Sequence, residues 1–382
     1  MDSHDFQETI FGGPGRSAGP REFSYCVYLP RSIPRSIQLD EATSSALSEA
    51  DRAIGRLHGS GRRLKNPMIL SDVYIRREAI SSTRIEGTQA TLDDLYDAES
   101  GGPVDDDVQE VINYVRALYR GLGHVQHSPI TMDLVRDLHT TILEGVRGED
   151  KQPGLLRERP NWISGSDPAT AEFVPPPHTE LDAGLADWES FLAEDLLMPP
   201  LVRCALMHYQ FETLHPFFDG NGRLGRLLIV LFLIHDGHLP APLLYVSSYF
   251  ERHKREYYDA LQGVRQRGDV GAWLRYFLSA VTVQANDAIR RSDRLADLEE
   301  EFRQRLSGSK GRAHELIDNL LSSPYISTQQ VVQHLGVTPQ GADYILRQLR
   351  KAGIVREMRR VPGRSKRWVA GEVMEILQED SP

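Results

Sequence analysis

The 382 residues, 40% hydrophobic and 26% charged, suffice for two or three cored domains and exclude a chain disordered throughout. A net charge of -10 argues against a surface coated for nucleic acid, while leaving room for a local basic module. The two cysteines, Cys26 and Cys204, offer neither a disulfide framework nor a metal-like spacing, which fits a reducing cytoplasm.

Residues 1–33 read as a flexible tail: Asp2, Asp5 and Glu8, then Gly12, Gly13, Pro14 and Gly15, with no basic segment ahead of an apolar run and so no signal peptide. Residues 34–106 are expected to be helical. Leu47, Ala50, Ile54 and Leu57 recur at helical spacing, and after a polar connection at 59–66 a second helix runs from about 70 to its C-terminal cap at Gly87. Ser82 and Glu86, four apart, share a face of that helix, and taken alone the face reads as solvated.

Gly101, Gly102 and Pro103 mark a boundary. Beyond it, residues 107–290 are predicted as one helical domain. Val108, Val111, Ile112, Val115, Leu118 and Leu122 give one amphipathic helix, and Leu134, Val135, Leu138 and Ile142 give another, in which His139 is assigned no role. Trp162 and Ile163, then Phe173 and Val174, are short apolar arms around a Ser/Gly/Asp/Pro tip, which predicts a small β-hairpin that Pro175, Pro176 and Pro177 keep from joining a larger sheet. Its open edge suits strand pairing with an extended peptide, and a purely structural flap is the alternative.

A helix through Val202, Ala205, Leu206 and Tyr209 follows. Residues 227–234, apolar on every face yet too short to span a membrane, predict the central core helix and no membrane partner. Two more helices occupy 249–262 and the stretch from Trp273 onward. The last runs into a charge-rich stretch that reads as a solvated linker helix over 291–311.

Residues 214–226, LHPFFDGNGRLGR, concentrate the chemistry. Gly220, Gly222 and Gly225 spell G-x-G-x-x-G, but a helix rather than a strand precedes them, so the match to a dinucleotide fingerprint is accidental. No P-loop and no serine-hydrolase elbow occurs. Gly220, Asn221 and Gly222 place unobstructed N–H groups at a helix start, where the dipole favours an anion. Arg223 and Arg226, three apart, offer forked donors to one phosphate chain. Asp219 beside an anion site calls for a bridging Mg2+, and His215 can take a proton from an attacking hydroxyl.

Residues 215–226 resemble the Fic-domain motif H-x-F-x-[DE]-G-N-G-R-x-x-R at every defined position. The resemblance, extending over about 108–288, implies an adenylyltransferase that moves AMP from ATP to a Tyr, Thr or Ser hydroxyl of a target protein or of itself. It implies His215 as general base, Asp219 as Mg2+ ligand, Gly220, Asn221 and Gly222 as anion hole, and Arg223 and Arg226 as clamps on the outer phosphates. It also implies docking of the target on the flap at Trp162, Ile163, Phe173 and Val174. Doc-type kinases of this fold carry Ala and Lys where Gly220 and Gly222 stand, which disfavours phosphorylation.

The same likeness places His253 and Tyr257 at the nucleoside end. Many Fic proteins have Asn at the position of His253, which leaves transfer of another nucleotide open. Ser82, Glu86 and Gly87 resemble the inhibitory motif [ST]-x-x-x-E-[GN], which implies that Glu86 pairs with Arg226 and restrains the site. Removal of AMP, with Glu86 orienting water, is an alternative, and so is a non-enzymatic nucleotide-sensing regulator that binds DNA.

Residues 312–372 resemble a winged helix: a helix capped by Ser327, a turn at 336–338, a second helix opened by Pro339, and two strands around the loop 359–366. Eleven basic residues face four acidic ones between 310 and 368, a surplus of about +7 that suits DNA phosphates, with Gln340, Tyr344, Arg347, Arg364 and Lys366 as candidate contacts. Winged helices also serve protein contacts, so homodimerisation is a second use, and residues 373–382 read as a tail. The whole is expected to be mainly α: a Fic-type helical bundle with a small hairpin flap and a C-terminal winged helix-turn-helix.

Overall fold

Apolar residues repeating every three or four positions bury one stripe of each helix, and the fold is the packing of those stripes around one helix that is apolar all round. The computed structural model describes residues 1–16, 25–60, 68–239, 242–308, 311–358 and 366–379. In chain order it contains β1 (Gly12–Arg16), β2 (Cys26–Pro30), α1 (Glu41–Ser60), α2 (Met68–Ile85), α3 (Leu92–Glu99), α4 (Asp106–Val125) and α5 (Met132–Ile142). The bundle continues with α6 (Leu181–Ala193), α7 (Pro200–Leu214), α8 (Asn221–His235), α9 (Ser247–Arg252), α10 (Lys254–Arg267) and α11 (Val270–Arg305). Last come α12 (Ile317–Ser322), β3 (Tyr325–Ser327), α13 (Thr328–Leu335), α14 (Pro339–Lys351), β4 (Arg356–Glu357), β5 (Arg367–Val369) and α15 (Gly371–Gln378).

The central helix is α8, buried from Arg223 to Leu233 and packed by α7, α4, α5 and α2. Side-chain caps start α4 and α11: Asp105 accepts from Val108 N at 2.9 Å, and Asp269 from Ala272 N at 3.1 Å. None of the helices is long and apolar enough to cross a membrane, among the described residues.

Four expectations change. The supposed flexible tail forms an antiparallel β1–β2 pair, because Phe6, Val27 and Tyr28 bury against the flap residues Ala171, Phe173 and Val174. The flap itself is one β-bridge, Ile163 with Phe173, rather than a full hairpin. It joins neither sheet among the described residues, but it is tied to the N-terminal segment: Tyr28 N donates to Val174 O at 2.9 Å and the terminal ammonium donates to Pro168 O at 2.6 Å. Third, the charge-rich end of α11 is not simply solvated: Leu295, Leu298 and Phe302 are buried, and α12 and α15 pack on the helix. Fourth, the expected C-terminal tail holds α15, with Val373, Met374, Ile376 and Leu377 buried.

After α11, the chain order α12–β3–α13–α14–β4–β5 yields a three-stranded antiparallel sheet of order β3-β5-β4. The loop at 359–365, and with it Arg364, lies outside the described residues. Gln340, Tyr344 and Arg347 form one exposed stripe on α14, and Lys366 is exposed before β5.

Candidate active site

The loop between α7 and α8 is held by residues remote in sequence. His215 ends α7 in the left-handed region, φ 47° and ψ 61°. The buried Arg157 guanidinium secures this turn, donating to His215 O at 2.9 Å and Pro176 O at 2.6 Å. Asn221 locks the other end: its Oδ1 accepts from Phe217 N at 2.9 Å and its Nδ2 donates to Phe217 O at 2.8 Å. His139 stacks on the Phe217 ring at 3.8 Å. Its Nδ1 accepts from Gly154 N at 2.8 Å, which puts the proton on Nε2, and Nε2 donates to Asp219 O at 2.9 Å.

Gly220, with φ 75°, turns the chain into α8 and offers no side-chain cap, so the N-terminal N–H groups of α8 open into a cavity of about 580 Å³. Such a helix start attracts an anion. His215 lines the same cavity. Burial, then the Arg157 and Arg265 guanidiniums, push its pKa down to about 3, so the imidazole is neutral at physiological pH. Its Nδ1 is buried and the backbone of Glu212 lies beside the ring, which leaves Nε2 as the nitrogen available to a reactant.

Arg226, 1% exposed, donates Nη2 to Glu86 Oε1 at 2.7 Å and Nε to Ser82 Oγ at 2.9 Å. Burial works against the Glu86 charge, but Arg226, Arg223 and Lys254 outweigh it and hold the carboxylate below its usual range. Asp219 receives Gly220 N at 2.6 Å and Arg223 Nη2 at 3.3 Å on Oδ1; Oδ2 has no protein donor among the described residues. A carboxylate on the cavity wall, with one oxygen free of protein donors among the described residues, fits Mg2+, which commonly takes one or two carboxylates and completes its shell with phosphates and water.

The cavity therefore gathers His215, Asp219, Gly220, Asn221, Gly222, Arg226 and Glu86, with Trp162, Ile163 and Phe173 of the flap as its far wall. Ser82 sits behind Arg226, Gly87 ends α2 at φ 103°, and Val174 faces β2. Three expectations fail on geometry. Arg223 is not on the wall; it is buried between Glu110 Oε2 at 3.0 Å and Asp219. Tyr257 is buried with its hydroxyl 2.8 Å from His208 Nε2, and the His253 ring lies tilted against Tyr249 with centroids 4.4 Å apart; neither lines the cavity. Successive helical residues diverge by about 100°, and on α10 it is Lys254 and Tyr258 that face inward.

Sequence reasoning also missed Glu110, Arg157, His139, Arg265 and Glu212. Arg265 lies 3.9 Å above the Phe173 ring and donates to Thr213 Oγ1 at 3.2 Å, coupling flap to α7. None of these five stands in a local motif; each is defined by which distant group it meets.

Family models agree with this architecture. Residues 36–123 match the Fic/DOC family N-terminal model, and residues 129–233 match the Fic/DOC family model. The chain is 31% identical over 165 residues to the protein adenylyltransferase fic-1 of Caenorhabditis briggsae, covering 42% of this chain and 29% of that protein. It is 26% identical over 249 residues to the protein adenylyltransferase Fic of Drosophila mojavensis, covering 62% and 45%. The chain thus spans less than half of the length of these curated relatives. In fold it is similar to the crystal structure of a Fic family protein from Desulfovibrio desulfuricans, with TM-score 0.58 and 21% identity over 87% of this chain and 97% of that one. It is also similar to Fic-1 of Caenorhabditis elegans, with TM-score 0.52 and 22% identity over 67% and 74%. With a complete motif loop at the head of its core helix and both family domains matched in order, the chain belongs to the Fic/DOC family.

Proposed function

We propose that the protein is an adenylyltransferase that moves AMP from ATP to a Tyr, Thr or Ser hydroxyl of a protein, itself included, and that Glu86 restrains it. The observation that carries this reading is the convergence, on one cavity, of the uncapped α8 N-terminus, a neutral His215 and an Arg226 already paired with Glu86. The relatives named protein adenylyltransferases support it.

The reaction follows from those positions. The acceptor hydroxyl oxygen bonds to the α-phosphorus, the bond from that phosphorus to the bridging oxygen breaks, and pyrophosphate leaves with the electron pair. His215 Nε2 takes the hydroxyl proton. The N–H groups at the head of α8 stabilise negative charge on the transferred phosphate, and Arg226, once freed, binds the terminal phosphate. Asp219 would hold Mg2+, which when bound neutralises phosphate charge. Trp162, Ile163 and Phe173 present the acceptor segment, and the free thiols of Cys26 and Cys204 suit a cytoplasmic setting.

The test is AMP incorporation from α-labelled ATP by wild type, Glu86→Gly and His215→Ala, each incubated alone and with a lysate. Labelling should rise in Glu86→Gly and vanish in His215→Ala. Unchanged labelling in the first removes the restraint; equal labelling in the second removes the base.

We propose, second, that residues 312–372 act as a winged helix that binds DNA. The exposed stripe of Gln340, Tyr344 and Arg347 on α14 favours this use. Retardation of duplex DNA by the full chain should weaken as salt rises and in Arg347→Ala. Retardation insensitive to both would exclude this surface.

A further inference from the structure

The G-x-G-x-x-G spacing, accidental as a dinucleotide fingerprint, has a steric reason in α8. A Cβ at Gly222 would lie 2.3 Å from Glu86 Oε1, and one at Gly225 would lie 2.4 Å from Glu212 Oε1. Residues three apart on a helix are neighbours at about 5 to 6 Å. Two carboxylates from different elements are therefore seated side by side on one stripe of α8. The Arg226 guanidinium reaches back along that stripe, with Nη1 2.8 Å from the Cβ position at Gly222.

The two carboxylates are not equivalent. Glu86 is paired with Arg226, whereas Glu212, on the cavity wall and 7% exposed, has a buried Oε1 with no hydrogen-bond partner among the described residues. A buried carboxylate oxygen without a donor calls for a reason beyond packing. The groups around it are Arg226 on α8, Glu86 beyond the end of α2, and Arg265, Tyr257 and Tyr258 on α10; His208 on its own helix also faces Gly225. Arg265 donates to the backbone Glu212 O at 3.2 Å and to Thr213.

We propose that Glu212 is the release side of the switch: ionised, it repels Glu86, so that a proton on Glu212 sets how firmly the restraint is seated. It is a positioning residue, acting on nucleotide only through Glu86, and this role rests on Glu86 being the restraint.

The sign of the pH effect follows. Burial, and after it the Glu86 charge, raise Glu212 against the opposing pull of Arg226 and Arg265, to about 7. When Glu86 withdraws, its repulsion goes, so the released state ionises Glu212 more readily and holds fewer protons. Raising pH through about 7 therefore favours release.

The test is equilibrium binding of a fluorescent ATP analogue with Mg2+ to the full chain, from about pH 6 to about pH 8, for wild type, Glu86→Gly, Glu212→Gln and the double variant. The Glu86→Gly profile carries the nucleotide's own ionisation. Relative to it, wild-type affinity should tighten with pH on the order of fivefold. Glu212→Gln should stay at the weak low-pH value throughout, and the double variant should match Glu86→Gly, which also shows that the fold tolerates the substitution. A wild-type pH profile in Glu212→Gln overturns the inference while leaving the restraint intact. Failure of Glu86→Gly to tighten binding overturns the restraint itself. Loss of binding in the double variant assigns Glu212 to the scaffold and overturns its switch role.

Discussion

On the proposed reading, one guanidinium decides the resting state of this site. Arg226 is held by the Ser82 hydroxyl, the Ser82 carbonyl and the Glu86 carboxylate, and a phosphate can claim it only by displacing the last. A charge-assisted hydrogen bond contributes about 1.5 to 3 kcal/mol net, so Glu86→Gly should raise AMP incorporation on the order of tenfold to a hundredfold. Loss of the base in His215→Ala should lower it by roughly two to four orders of magnitude. Quantified labelling of the three proteins checks both figures. The motif residues on the cavity wall were legible because they stand within a dozen positions of one another in sequence. Arg157 and His139 were not legible, since a buried Arg or His in a sequence gives no sign of which carbonyl it will meet.

The proposed restraint would be as good as the seating of α2, which is anchored along its length. Tyr74 donates to Ala288 O at 2.9 Å. Near the middle, the buried Glu78 accepts from Ser247 N at 3.2 Å and Tyr114 OH at 3.2 Å. Burial raises Glu78 to about 7 against the opposing pull of Ser247, Arg226 and Tyr114. Between the ordinary carboxylate value and about 7 the folded state keeps a proton that the unfolded chain has released, so stability falls as pH rises through that window. The effect is on the order of 3 kcal/mol. Glu78→Gln should flatten this decline in denaturant melts taken from about pH 5 to about pH 7. Glu212 has the same sign, so a slope remains; an unaltered slope would place the titration elsewhere. Helices such as α4 and α8 were predictable from periodicity, whereas β1 and β2 were hidden because a Gly- and Pro-rich stretch reads as a tail until its partner is known.

The C-terminal elements rest on the same region. Tyr325 stacks on Tyr96 of α3 at 5.9 Å, Gln378 donates to Asp93 at 2.9 Å, Arg367 pairs with Asp97, and Arg77 of α2 donates to Leu377 O. What binds the C-terminal elements can therefore bias α2 if it alters this docking. Arg367→Glu places two negative charges face to face at Asp97. Hydrogen exchange should accelerate in α3 and α15 and stay unchanged in α8, whose protection depends on the bundle core. Equal protection in all three would mean that the docking does not depend on this pair. The length of α11 and the burial of its charged end could not be foreseen, because a charged helix reads as solvated until another element covers it.

By itself the sequence determined the composition of the loop, the core helix and the shared face of Ser82 and Glu86, because local spacing fixes which side chains share a helix face. Only the tertiary structure decided that Arg223 serves Asp219 rather than the cavity, that Tyr258 replaces Tyr257 on its wall, and that Glu212 is seated one turn from Glu86. Those outcomes depend on the rotation of each helix about its axis and on contacts across up to about 140 residues, which no local pattern encodes.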